Sequence, residues 1–232
     1  VRIAAVLSGD AALLEACESG DVYLGVAQQL GFVRAGMNAA ELKAVRTLFK
    51  TVVLGIQYGM AGPSLSMRTG ISLFEACEIL ARQRARFRAF EDFARSAVDH
   101  AGLHLEVRMP FGWIMKCPSG INPRTVRNFP IQSTAAEILH AACILAEPQG
   151  IEIVAPVHDA IMIETASEQT EEASAALDRV MRDAAAIVLR GYRLPTEAQI
   201  VRPGERFFEE RAEEMWKTIN RLVVKLEKEQ VA

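Results

Sequence analysis

The chain has little of what would mark it as secreted, membrane-bound or metal-stapled. Its four cysteines, Cys17, Cys77, Cys117 and Cys143, form no CxxC pair and no short-range metal spacing, so the sequence carries neither a disulfide framework nor a structural zinc motif. Buried or incidental thiols in a reducing compartment are the expectation. No apolar run reaches about 18 residues, the length read as a spanning helix, and no charged, then apolar, then small-residue start marks a signal peptide. A soluble, cytoplasmic protein without a membrane partner is expected. No internal repeat and no low-complexity tract interrupts the 232 residues. Half of the positions are hydrophobic, enough for one substantial core or two closely packed lobes.

Net charge is also small, −3, but it is unevenly spread. Residues 1–33 carry one basic and four acidic side chains, residues 34–127 fourteen and seven, and residues 128–232 eleven and eighteen. A basic middle between acidic ends is the pattern a polyanionic ligand needs, because phosphate neutralisation supplies most sequence-independent affinity for DNA. Arg82, Arg84, Arg86, Arg88 and Arg95 equally suit a solvated helix face. Charge alone does not choose between these.

The pattern is mostly helical. Short helices are expected over Asp10 to Glu18, with Asp10 as a cap, and over Asp21 to Leu30, broken by Gly31. Asn38 and Glu41 have the spacing of a capping box and open a long helix running to Tyr58-Gly59, stopped there and at Gly62-Pro63. Ser72 to Ala101 reads as one amphipathic helix ending near Gly102. Glu106 to Met109 and Gly112 to Lys116 read as a hairpin, Pro118 to Pro130 as a loop, and Ser133 to Leu145 as a helix. Ile151 to Ala155 and Ile161 to Ile163 flank Val157-His158-Asp159-Ala160, so Asp159 sits at the tip of a second hairpin. A helix over Ser167 to Leu189, a strand at Ala198 to Val201 and a helix over Glu209 to Glu227 complete the chain. Trp113 and Trp216 read as core or lobe-interface anchors. His100 and His104 have the i, i+4 spacing of a metal pair, but Gly102 lies between them, which argues against metal binding.

Arg46, Lys50, Leu54 and Tyr58 recur every four residues, so on a helix each advances about 40° past a full turn and the four form one winding stripe roughly 18 Å long. Two cations lead and two apolar groups follow. That order suits a nucleoside triphosphate, with guanidinium and ammonium on phosphate oxygens and the apolar pair facing sugar and base. An ordinary amphipathic helix gives the same spacing.

Arg46 to Met60 resembles the fingers-helix motif of family A DNA polymerases, the bacterial DNA polymerase I type: Arg, three residues, Lys, an aromatic or apolar residue, then Tyr-Gly. Val157-His158-Asp159 resembles that family's palm motif. Asn128-Phe-Pro-Ile-Gln132-Ser-Thr-Ala-Ala-Glu137 resembles the segment ahead of it, and Val1 to Asp10 with Gly20-Asp21-Val22-Tyr23 the stretch after the first palm motif. The resemblance is strongest over residues 1 to 165, with all motifs in the family's order.

The resemblance implies an α+β fold, a palm with a small antiparallel sheet carrying Asp159 plus a helical fingers subdomain. Residues 1–33 and 121–232 would belong to the palm and 34–120 to the fingers. It implies template-directed DNA polymerase activity, with deoxynucleoside triphosphates, primer–template DNA and two magnesium ions as ligands. Arg46 and Lys50 fall on the triphosphate, Leu54 on the sugar, Tyr58 on the nascent base-pair pocket and Tyr23 near the phosphates. Arg124, Asn128 and Gln132 fall on the primer–template minor groove, where amides read acceptors common to all base pairs. His158 falls near the primer end and Asp159 on a metal ligand. The pattern departs at Leu54, where an aromatic is common, at Tyr23, where a histidine is common, and at Ala160, where Glu is common. The first palm aspartate belongs to a motif just ahead of Val1, so an upstream polymerase segment, in cis or in trans, is expected to complete the site. The alternative is a non-catalytic nucleotide- or nucleic-acid-binding remnant, and beyond that an unrelated helical scaffold.

Overall fold

The computed structural model describes residues 1–205, 207 and 212–230. Three short helices open the chain, α1 (Arg2–Ser8), α2 (Ala11–Glu18) and α3 (Val22–Gln29). Asp10 caps α2 by accepting from Leu13 N–H, and Asp21 caps α3 by accepting from Tyr23 and Leu24 N–H. Asp10 is also buried and accepts from the Phe90 backbone, tying the start of the chain to a distant helix. The capping box forms as expected, with Asn38 and Glu41 exchanging side-chain bonds at the head of α4 (Ala39–Gln57). A cap of this kind contributes about 1 kcal/mol.

Gly62-Pro63 does not merely end that helix: it opens another, α5 (Gly62–Thr69), because proline in a first turn has no intrahelical N–H bond to lose. The single amphipathic helix expected over Ser72 to Ala101 is two helices, α6 (Leu73–Arg86) and α7 (Arg88–His104). The break is at Phe87, φ −106° and ψ 56°, whose ring is fully buried; insertion of that ring into the core takes precedence over helix continuity. Gly102 does not stop α7, which runs on to His104 and ends where Leu105 turns left-handed at φ 57°.

A hairpin of β1 (Glu106–Arg108) and β2 (Ile114–Lys116) follows. The loop expected from Pro118 to Pro130 is a correction: α8 (Pro123–Ala146) begins at Pro123, capped by Asn122, and carries Pro130 in its interior. Pro130 forfeits one backbone bond, and its burial offsets that loss. Then come β3 (Ile153–Val157) and β4 (Ala160–Ile163), antiparallel, with Val157 opposite Ala160 so that His158 and Asp159 form the tip. Beyond them are α9 (Thr170–Val188) and α10 (Glu213–Gln230). No strand forms at Ala198 to Val201. The expected start of the last helix, at Glu209, lies outside the described residues.

Among the described residues the architecture is α+β, mostly helical with two separate two-stranded ribbons. One core joins α1 through α7 with Ile131 of α8, centred on Phe49, Val52, Leu65 and Phe87. A second joins α8 and α9 beneath the β3–β4 ribbon. Helix α1 serves both, since Ala4 and Ala5 face the first and Val6 and Leu7 pack on the second. Pro123–Gln149 is long and apolar enough to cross a membrane by length and composition. It packs against α1, α7 and α9, and burial in these cores accounts for its apolar residues. The tryptophans are not core anchors. Trp113 lies at a ribbon turn and Trp216 on α10, and they are 47% and 54% exposed.

Candidate functional site

The four-residue stripe is real: Arg46, Lys50 and Leu54 lie on α4, and Tyr58 is its C-terminal cap. Phe49, Val52 and Ile56 bury the opposite side of the helix, so packing fixes the direction in which the stripe points. Lys50 and Leu54 are half-buried and Tyr58 is exposed.

Arg46 is not free. It donates to Asp21 in an ion pair, and its guanidinium lies 5.5 Å from the centre of the Tyr23 ring. Burial would push the Asp21 carboxyl up, but the Arg46 bond and the Leu24 and Tyr23 N–H groups together hold it below its ordinary value. Asp21 therefore fixes a helix start and the leading cation of the stripe at once. Tyr23, predicted near the phosphates, stacks with that same cation. The sequence marks Asp21 as a helix start within the Gly20-Asp21-Val22-Tyr23 stretch but gives it no partner, because an ion pair across 25 residues leaves no periodic signal.

At the other end of the stripe, Gln132 Nε2 donates to the Tyr58 hydroxyl at 3.3 Å. Two residues predicted from separate motifs thus meet, one at the C-terminal cap of α4 and one on α8. Gly59, at φ 69°, turns the chain beneath them, and a side chain there would approach Arg124 Cγ to 3.2 Å. Asn128, one turn past Arg124, has a buried Oδ1 without a hydrogen-bond partner. Arg124, Asn128 and Gln132 share one face of α8 by their four-residue spacing.

Beside Gly59 opens a pocket of ≈ 270 Å³ lined by Met60, Arg84, Glu91, Arg95, Arg124 and Arg127 among others. Four guanidinium groups against one carboxylate make it strongly cationic. Its floor is the pair Arg127–Glu91, held through two bonds of 3.1 and 2.5 Å with side chains 13% and 15% exposed. This pair was not legible in the sequence. Of the arginines that suggested either a polyanion site or a solvated face, Arg82, Arg84, Arg86 and Arg88 lie within 4.0 Å of acidic partners.

Burial pushes the Glu91 carboxyl up, but hydrogen bonding and charge from Arg127, then Arg84 and Arg95, bring it net below its usual value. A carboxylate lowered in this way stabilises the fold above its unfolded pKa, and that stability is lost as pH falls through the lowered native value. Glu91→Ala should destabilise by about 2–3 kcal/mol, somewhat less than a fully buried pair, because it strands Arg127. Urea unfolding checks this, and the difference from wild type should shrink on acidification.

Glu137 ends the stretch of α8 that begins at Asn128. It is 4% exposed with both oxygens lacking partners of good geometry. Burial raises its pKa, and the Phe111 backbone offsets this only in part.

Asp159 and His158 occupy the exposed tip of β3–β4, where His158 takes a left-handed φ of 56°. No hydrogen bond or ion pair among the described residues joins this tip to α4. Nor does any group of three His, Cys, Asp or Glu among the described residues suit a metal ion.

A family model described as DNA polymerase family A matches residues 1–202. DNA polymerase I of Deinococcus radiodurans is 28% identical over 199 residues, covering 79% of this chain and 20% of that protein. DNA polymerase I of Mycobacterium tuberculosis is 31% identical over 191 residues, covering 75% and 21%. Among solved structures, the POL domain of Pol1 from M. smegmatis, in complex with DNA primer-template and dNTP, superimposes with a TM-score of 0.69 at 27% identity. That match covers 79% of this chain and 35% of the solved one. The chain spans about a fifth of the length of the curated relatives.

Proposed function

Since the chain belongs to DNA polymerase family A, we propose that it forms the nucleotide- and primer-facing portion of a template-directed DNA polymerase, with residues 34–120 as fingers and 1–33 and 121–232 as palm. The observation that carries this reading is the Gln132 bond to Tyr58. It joins the end of the α4 stripe to the α8 face that would lie along the minor groove. In this reading Arg46 and Lys50 hold the triphosphate, Leu54 touches the sugar, and Tyr58 closes the base-pair pocket. Tyr23 positions Arg46. The fork of the guanidinium allows Arg46 to keep Asp21 and still bind a phosphate oxygen. Arg124, Asn128 and Gln132 follow the primer–template, and Asn128 Oδ1, buried and unpartnered, can take a donor from a neighbouring group.

The family's two magnesium ions meet one matched carboxylate here, Asp159, and the described residues hold no group of three donors. This chain alone does not fit such a site. Further carboxylate must come from another part of the polymerase, in the same polypeptide or in trans. His158 and Asp159 at the ribbon tip would then face the primer end.

The test is extension of a primed template by the chain joined to the preceding portion of a relative. Ordered addition of template-directed nucleotides supports the reading; binding of primer–template without any addition leaves the non-catalytic alternative in its place. In that joined enzyme Leu54→Tyr should alter the choice between deoxy and dideoxy nucleotides, because a tyrosine hydroxyl can replace the interaction that the missing 3′-hydroxyl supplied. The ratio of the two incorporation efficiencies should fall towards one; an unchanged ratio would show that residue 54 does not face the sugar.

A further inference from the structure

Sequence spacing argued against a metal pair at His100 and His104 because Gly102 lay between them. The fold removes that objection. Helix α7 continues through Gly102 to His104, which brings both imidazoles onto one face with ring centroids 4.2 Å apart and planes tilted by 36°. Two nitrogens each about 2.0–2.1 Å from one ion, at about a right angle, place imidazole centroids about 4.5 Å apart, so the observed spacing is near that of a chelate. Both rings are exposed. His104 also lies in the last turn of a 17-residue helix, where the backbone carbonyl ends favour positive charge.

We propose that His100 and His104 form a bidentate site for a divalent first-row ion of the imidazole-preferring class that accepts ligands at a right angle, copper or nickel, with solvent in the remaining positions. Each ring donates a lone pair to the ion and no covalent bond of the protein changes. No third protein donor joins them among the described residues, so the site is open and its affinity rests on the chelate. Binding clamps the last turn of α7 against fraying and stabilises the helix that leads into β1.

The experiment is calorimetric titration of the 232-residue chain with nickel chloride in a non-coordinating buffer, with Cys77→Ser as background because that thiol is exposed. His100→Asn should weaken binding about 100-fold or more, since one donor then loses the effective concentration supplied by the other. His140→Asn, at an exposed histidine elsewhere, should change nothing. Gly102→Ala has open space around the added methyl and stiffens the helix between the two donors, so it should tighten binding. Saturating nickel should raise the melting temperature of the parent chain and not that of His100→Asn. Equal affinity of the parent and His100→Asn, or weaker binding by Gly102→Ala, would overturn the site.

Discussion

Asp159→Ala in the joined enzyme should reduce primer extension by at least about 10²–10³-fold, the scale of removing one preorganised electrostatic group from a reaction centre. In the proposed reading Asp159 is the carboxylate that the palm contributes, and the two-residue tip of the β3–β4 ribbon fixes its position. Neither ion pair nor hydrogen bond among the described residues spends that charge on the fold. The substitution should therefore leave stability nearly unchanged, which separates a catalytic loss from unfolding. Asp159→Asn keeps the shape and removes the charge, so it should fail equally. The 232-residue chain alone, with this carboxylate but no matched second one, should show no measurable extension. Single-turnover extension with all four deoxynucleotides, alongside urea melts of each variant, measures both effects. Full activity in Asp159→Ala would refute the palm assignment itself. Extension by the chain alone would show that an acid within it, such as Asp10 or Glu164, completes the site, although Asp10 is already buried in two backbone bonds.

Lys50→Ala should weaken nucleotide binding by about 10- to 150-fold, corresponding to the roughly 1.5–3 kcal/mol of a charge-assisted hydrogen bond. Lys50 is half-buried on α4 and enters no ion pair among the described residues, so its charge is available to a ligand. Arg46 differs, because Asp21 already holds it. Arg46→Ala should thus combine a binding loss with weaker anchoring between α3 and α4. Titration of a fluorescent deoxynucleoside triphosphate against both variants separates the two cases: Lys50→Ala changes affinity at constant melting temperature, and Arg46→Ala changes both. Equal affinity of wild type and Lys50→Ala would remove Lys50 from the triphosphate.

The features legible in the sequence were those with short-range signatures. Asn38 and Glu41 announced α4 because a capping box needs only three residues' separation. Asp159 could be placed at a hairpin tip because apolar runs flank a two-residue turn, and the α4 stripe was visible because four-residue spacing survives any tertiary arrangement. The failures share a different cause. Phe87 breaks a helix in mid-run, and nothing local distinguishes a phenylalanine that must leave the helical path to reach the core from one that need not. Pro130 sits inside α8 where local rules end a helix, since tertiary burial outweighs one lost backbone bond. The Asp21–Arg46 and Glu91–Arg127 pairs join residues far apart in the chain, and only the fold brings them together. Trp113 and Trp216 were read from residue type as core or lobe-interface anchors, yet a lone ribbon turn and a helix whose described side chains from 213 to 227 are all exposed offer no core to enter.

The central claim is that the face of α4 bearing Arg46, Lys50, Leu54 and Tyr58 receives the nucleotide. Photocrosslinking the chain with a base-azido deoxyadenosine triphosphate, followed by peptide mapping, tests it without requiring catalysis. The account predicts that the adduct falls on the peptide running from Lys50 to Gly59, is competed by unlabelled deoxynucleotide and is lost in Lys50→Ala. An adduct confined to the arginine-lined pocket at residues 84 to 95, or labelling that Lys50→Ala leaves intact, would contradict it.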